Sequence, residues 1–192
     1  METTNEQDII SQLRNPSQRR AAFAKVVSQY SQPLYWQIRR MVTWHDDADD
    51  VLQNTFLKAW MGIENFRGEA RLSTWLHRIA YNETLTFLSR QHETISLDTS
   101  IGDDNDTDDD ATLTLAGTLE SDPYFDGDEA EALLQAAVAS LPAKQRAVFT
   151  MKYFDEMKYE DMAEVTGTSV GGLKASYHLA VKKIEDFFHR RE

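Results

Sequence analysis

The 192-residue chain contains no cysteine, and that single absence excludes several kinds of chemistry. Disulfide bonds, thiol nucleophiles and zinc sites built on cysteine all need a residue that this sequence does not have. The N-terminus also has neither the basic start nor the apolar run of an export signal. We therefore expect a cytoplasmic protein that is not inserted into a membrane.

Signs of an enzyme are equally scarce. The sequence has no glycine-rich loop that could hold a phosphate, and it pairs no nucleophile with a base. Its five histidines are scattered, and none is arranged with the acidic cluster near residue 46 as a metal site would require. We expect no catalytic activity, no cofactor and no metal site.

Basic residues are missing from one long stretch. Residues 91–140 hold no lysine or arginine but 14 aspartates and glutamates, whereas the segments on either side each have a net charge of only +1. The overall net charge of −12 therefore comes from the centre of the chain, which repels itself and offers little to a core. This pattern predicts a flexible linker. The predicted divisions are an N-terminal extension (1–18), a first domain (19–92), the acidic linker (93–128) and a second domain (129–192).

Apolar residues on both sides of the linker recur at three- and four-residue steps, which predicts an all-α protein with two small helical domains. Residues 1–18 have little to bury, and at most one helical turn is expected there. In the first domain the pattern predicts helices over 19–41 and 46–63, and a third that begins at a cap on Ser73 or Thr74. The polar outer face of 46–63 is either a solvated surface or a docking surface.

Arginines and aromatic residues alternate around the third helix. Cations for phosphates beside rings for bases are the composition of a single-strand binding surface. Packing of the rings in the core is the simpler interpretation, and the pattern leaves both open. The residues concerned are Arg67, Arg71, Arg78 and Arg90 with Phe66, Trp75 and Tyr81.

The second domain ends in a pattern typical of a helix-turn-helix. A short helix over 159–165 is followed by a turn at Gly167, and Ser169 is a good N-cap for a longer helix. In such a motif the second helix reads bases in the major groove, although an ordinary helical hairpin would show a similar pattern. Its outer face has no arginine, so we expect weak DNA binding that a partner must supplement.

Four blocks of the sequence together resemble the extracytoplasmic-function (ECF) group of bacterial sigma factors. They occur in the order and at the spacing of that family, which is more specific than any one of them alone. The blocks are DADDVLQNTFLKAW (47–60), FRGEARLSTWLHRIAYN (66–82), LPAKQRAVFTMKYF (141–154) and YEDMAEVTGTSVGGLKASYH (159–178).

The resemblance implies a transcription initiation factor that gives core RNA polymerase its promoter specificity and assists promoter opening. Its implied partners are core polymerase, promoter DNA and an anti-sigma factor. The candidate contacts with core polymerase are Asp50, Gln53 and Asn54. Those with the minus-ten element are Phe66, Arg67, Arg71, Trp75, Arg78 and Asn82. Those with the minus-thirty-five element are Lys152, Ser169, Lys174, Ala175, Ser176, His178 and Lys182.

Some positions depart from the family pattern. Arginines are common in relatives where this chain has Ser176 and Leu179, so we expect low phosphate affinity and a promoter sequence of its own. Two roles are open for the acidic linker: it either occupies a basic channel of polymerase in place of nucleic acid, or it is a solubilising tether. The alternative function is a stand-alone helix-turn-helix regulator, which would bind duplex DNA unaided and usually as a dimer.

Overall fold

The computed structural model describes residues 2–42, 44–98 and 129–190, and every regular element in these ranges is helical. The all-α prediction is confirmed. Residues 93–98 of the predicted linker continue a helix, whereas 99–128, and with them both hypotheses about the linker, lie outside the described residues. The helices are α1 (Glu2–Arg14), α2 (Arg19–Arg39), α3 (His45–Gly62), α4 (Leu72–Asp98), α5 (Glu129–Ala139), α6 (Ala143–Tyr153), α7 (Tyr159–Thr166) and α8 (Val170–His189), with a 3-10 turn at Ile63–Asn65.

Helices α2, α3 and α4 form the core of the first half. The first turn of helix α3 contains Asp46 and Asp47, whose negative charges interact favourably with the positive N-terminal end of the helix dipole. The buried side of α3 carries small and β-branched residues at three- and four-residue spacing, so α2 and α4 can approach it closely. The buried core residues include Val26, Leu34, Ile38, Ala48, Val51, Ala59, Leu72, Leu76 and Ala80.

Helix α1 is longer and better packed than the sequence predicted. It has 13 residues instead of a single turn, and Ile9 and Leu13 are buried against the first half. These two side chains are four residues apart and so lie on the same side of the helix. Two apolar positions in a polar segment are a weak signal, which is why the pattern did not show their burial.

The start of α4 also differs from the prediction. The helix begins at Leu72, so neither Ser73 nor Thr74 is its cap. The backbone N–H of Leu72 donates instead to the carboxylate of Glu6 in α1. A carboxylate at this position satisfies an otherwise unpaired N–H group and complements the helix dipole. The predicted local caps were wrong because a residue 66 positions away in sequence supplies the cap.

The helix-turn-helix of the second half has the predicted turn and cap. Gly167 adopts the left-handed conformation, with φ of 69°, and its N–H donates to the carbonyl of Ala163. The Oγ of Ser169 accepts a hydrogen bond from the N–H of Gly172 at 3.2 Å and starts α8. Leu173 and Ile184 are buried on the inner side of α8, as the periodicity predicted.

We expect Gly167→Ala to lower the free energy of unfolding by about 1 kcal/mol, because an L-residue is strained at positive φ. A Cβ atom at Gly167 would contact nothing within 4 Å, so the loss isolates the backbone strain. Gly171→Ala is the matched control, since Gly171 also has open space around it but lies in α8. That change should leave stability equal or raise it by about 0.5 kcal/mol. Urea denaturation measures both, and a loss of the same size in both variants would contradict the argument.

The two halves pack against each other through one shared apolar cluster. Met41 and Tyr81 of the first half lie in it with side chains of α6, α7 and α8. Tyr81 is only 7% exposed, so core packing is the correct one of the two interpretations for this ring: the second half covers that side of α4. Burial raises the pKa of the Tyr81 hydroxyl. The residues contributed by the second half are Ala147, Val148, Met151, Met162, Val165 and Leu173.

Polar contacts at the edge of this cluster also join the halves. The Nη1 atom of Arg40 lies 2.8 Å from Oδ1 of Asp155, and its guanidinium lies 4.7 Å from the ring centroid of Phe154. Arg146 donates from Nη1 to the carbonyl of Met41 at 2.7 Å. Burial raises the pKa of Asp155 to about 6, although Arg40 acts in the opposite direction. Burial lowers the pKa of Arg146 to about 10. The charged groups in these contacts are therefore partly buried, and water weakens the electrostatic attraction between them only a little.

Candidate polymerase and nucleic-acid interfaces

The outer face of α3 carries the residues predicted to contact polymerase. Asp50, Gln53 and Asn54 are all exposed on it. The same side of the helix continues with Leu57 and Met61, which are 55% and 74% exposed. Sequence reasoning missed these two, although apolar residues spaced four apart along a polar face were a readable signal. We call these five residues the α3 face; it is polar where the helix begins and apolar towards its end.

Negative charge is concentrated at the start of the α3 face. Asp46, Asp47 and Asp50 lie within two turns of the helix. Partial burial, followed by the carboxylates of Asp50 and Asp46, raises the pKa of Asp47. Such a shift is expected where like charges are close together. A partner surface rich in lysine or arginine would relieve this repulsion.

The loop 66–71 joins the 3-10 turn to α4 and holds two of the predicted minus-ten residues at its start. Phe66 is 8% exposed, and its ring packs 4.9 Å from that of Trp75, measured between centroids. Arg67 points into solvent beside Glu69. Gly68 has φ of 73°, a conformation that glycine adopts without strain. Phe66 therefore anchors the loop in the core, and Arg67 is the accessible cation next to it.

A cleft of about 430 Å³ opens between α3 and α4 beside this loop. Its volume is within the range of small-ligand sites. Trp75 offers a ring on which a base could stack, and the exposed amide of Asn82 can both donate and accept hydrogen bonds. Lys58 and Glu83 form an ion pair at 2.5 Å in its wall. The lining residues are Lys58, Gly62, Asn65, Trp75, Ile79, Asn82 and Glu83.

The structure brings three of the six predicted minus-ten residues together at the cleft. Trp75 and Asn82 line the cleft, and Phe66 contacts Trp75. Arg71 and Arg78 are exposed at the start of α4 and one to two turns into it, so their guanidinium groups are free to meet phosphates. Their contact with DNA stays a prediction.

Helix α8 presents the outer face that the periodicity predicted. Lys174, Ala175, His178 and Lys182 are exposed along it, and Ser176 is half-buried. Leu179 is 50% exposed in the middle of this face. The face thus combines cations for phosphates with small apolar groups that fit thymine methyls, which is a weak but usable set for reading duplex DNA.

Two of the predicted minus-thirty-five residues make hydrogen bonds within the protein, and a third, Lys174, has its Nζ 5.6 Å from the ring centroid of Tyr159. Lys152 donates from Nζ to the carbonyl of Met157 at 3.2 Å and lies 5.1 Å from the ring centroid of Tyr159. Ser169 caps α8 through its Oγ. Any contact of these two with DNA would come in addition to a role in holding the helix-turn-helix together.

Comparisons with known proteins agree with this arrangement. The family model "Sigma-70 region 2" matches residues 26–94, and "Sigma-70, region 4" matches residues 131–184. The chain is 32% identical to the RNA polymerase sigma-H factor of Pseudomonas aeruginosa, over 95% of this chain and 94% of that protein. It is 30% identical to the ECF RNA polymerase sigma-E factor of Haemophilus influenzae, over 86% of each. The chain belongs to the ECF sigma factors.

Solved structures support the fold of this sigma factor. CnrH, in complex with the cytosolic domain of CnrY, matches with a TM-score of 0.67 at 20% identity, covering 97% of this chain and 99% of CnrH. RpoE of Bartonella quintana, in complex with the anti-sigma factor NepR, matches with a TM-score of 0.65 at 21% identity, covering 87% and 96%. The family predicted from the sequence is confirmed.

The stand-alone regulator is not favoured, because the relatives match both halves of the chain and not the helix-turn-helix alone. Within the described residues no helix is long and apolar enough to cross a membrane. Nor do those residues contain a cluster of histidines and carboxylates that could hold a metal ion.

Proposed function

We propose that this sigma factor docks on core RNA polymerase through the α3 face and reads promoters with two separate surfaces. Loop 66–71 and the adjoining cleft bind the minus-ten strand, and α8 binds the minus-thirty-five duplex. The observation that carries the proposal is the cleft, because both Trp75 and Asn82 line it. The adjoining loop carries the exposed Arg67 and Arg71. A stacking ring, an amide and two cations are the groups that a flipped base and its phosphates need.

Promoter opening follows from the same surface. Extruding one base costs a few kcal/mol, which stacking and hydrogen bonds to the base edge offset. Trp75 supplies the ring, and Asn82 supplies an edge partner. The arginines on α4 add phosphate contacts that only a separated strand can use fully.

We also propose the setting in which the factor works. It acts in the cytoplasm with RNA polymerase, takes no cofactor and catalyses no reaction of its own. Two structural neighbours, CnrH and RpoE, were solved with CnrY and with the anti-sigma factor NepR. On that likeness an anti-sigma factor is a proposed partner, and the apolar end of the α3 face is a surface that it would have to cover.

Multi-round transcription on genomic promoter fragments tests the proposal directly. Core polymerase from the same organism is assayed with and without this protein, and a gel shift with the protein alone runs beside it. We expect transcripts that depend on the protein together with weak DNA binding in the absence of core, since α8 has no arginine on its outer face. Tight binding without core and no new transcript from any fragment would instead support a stand-alone regulator.

A further inference from the structure

Helix α1 contacts the loop 66–71 at both of its ends. Near the start, Arg14 donates from Nη2 to the carbonyl of Arg67 at 2.6 Å. At the end, Glu6 accepts from the N–H of Leu72, where α4 begins. Both contacts are made to backbone atoms, the carbonyl of Arg67 and the N–H of Leu72. They therefore fix the path of the loop backbone and do not act on a single loop side chain.

Helix α1 is held in place by packing and by polar contacts of its own. Leu13 and Ile9 are buried in the core of the first half. Arg19 donates to the carbonyl of Leu13 at 2.9 Å and pairs with the carboxylate of Glu64 in the 3-10 turn. Through Arg19, helix α1 is thus linked to the 3-10 turn, where the loop starts.

The loop has little else to hold its middle. Arg67 and Glu69 have side chains that are each 80% exposed, and they lie 4.0 Å apart at the limit of an ion pair. Gly68 has the conformational freedom of glycine, and a Cβ atom placed there would lie 3.5 Å from the Arg14 guanidinium. A loop of this kind binds a strand well only when its conformation is fixed beforehand, because ordering it during binding costs affinity.

We propose that Glu6 and Arg14 of α1 are positioning residues that hold loop 66–71 in the shape that binds the minus-ten strand. This inference rests on the proposed role of the loop. Neither residue needs to touch DNA: Arg14 sets the direction of the chain at Arg67, and Glu6 sets where α4, with its arginines, begins.

The test compares the double variant E6A/R14A with wild type in holoenzyme on a promoter found by the transcription assay. Opening of linear duplex is followed by permanganate reactivity, and base preference is measured by substituting each base of the minus-ten element in turn. We expect the double variant to open duplex about tenfold more slowly and to lose most of its base preference. A template that is already melted should restore transcription. Affinity for core should stay unchanged because the α3 face is untouched.

Conservative and control variants separate positioning from general stability. Glu6→Gln keeps a carbonyl oxygen that can accept from Leu72, so it should retain most of the base preference that Glu6→Ala loses. Ser11→Ala is the matched control on the same helix, because the hydroxyl of Ser11 donates to the carbonyl of Asp8 within α1. It should behave as wild type.

The outcomes distinguish the two proposals. If wild type shows no base preference in the minus-ten region, or Asn82→Ala leaves opening unchanged, the proposed function of the loop and cleft is wrong. If wild type shows that preference and E6A/R14A retains it in full, the positioning role is wrong. A loss of core affinity as large as the loss of opening would also overturn it, since that result means general unfolding.

Discussion

Replacing Leu57 with aspartate is expected to weaken the affinity of this sigma factor for core RNA polymerase by about thirtyfold or more. Leu57 and Met61 expose apolar surface beside the polar residues of the α3 face. A residue that is a hot spot at the centre of an interface contributes about 2 kcal/mol or more, and each 1.4 kcal/mol is a factor of ten. A carboxylate there would also be buried without a partner.

The matched control is Leu179→Asp, since Leu179 is a leucine of similar exposure that lies on α8. It should leave core affinity unchanged and weaken promoter binding. Affinity is measured by fluorescence anisotropy with a dye on one introduced cysteine, which is selective because the chain has none of its own. Equal core affinity for Leu57→Asp and wild type would show that polymerase does not use the apolar end of the α3 face.

Removing two lysines from α8 is expected to lower promoter affinity of the holoenzyme about tenfold at moderate salt. Lys174 and Lys182 are both exposed on the outer face of the helix. Each phosphate contact releases about one counterion, so the plot of log affinity against log salt should become shallower by about two units in the double alanine variant. Base preference in the minus-thirty-five region should change little, because lysine contacts to phosphate carry little sequence information.

Lys25→Ala is the control for a general loss of charge, since Lys25 is exposed on α2, away from the helix-turn-helix. Its salt dependence should match wild type. A double variant at positions 174 and 182 with an unchanged salt slope would mean that α8 does not meet the duplex through this face. Filter binding or anisotropy over a range of salt concentrations supplies the slopes.

Much of this architecture could be predicted because it depends on local pattern. The turn at Gly167 and the cap at Ser169 follow from the chemistry of single residues, and the structure has both. The exposed positions of α3 and α8 follow from helical periodicity. Periodicity could not identify a partner or a process. The agreement of four sequence blocks with one family did so, by indicating core RNA polymerase and transcription initiation.

Apart from the exposed Leu57 and Met61, the features that were missed depend on contacts between distant segments. Glu6 caps α4 across 66 residues, and no local rule names such a partner. The sequence left two interpretations open for Tyr81 because periodicity does not show which element covers a given side of α4. The arrangement of the two halves rests on side chains such as Arg40 and Asp155, whose pairing spans 115 positions.

The packing of the two halves around Met41 and Tyr81 also limits the distance between the centres of the two halves. Two domains of this size in contact have their centres roughly 30 Å apart. Promoter elements named for positions minus ten and minus thirty-five are about 25 base pairs apart, which is roughly 85 Å of duplex. If each half binds its element as proposed, the packed form is too short for both elements of a straight duplex, and the junction would have to separate before both are bound. Core polymerase would then hold the two halves apart at the spacing of the two promoter elements. This factor would in that case select promoters by the distance between the elements as well as by their base sequence.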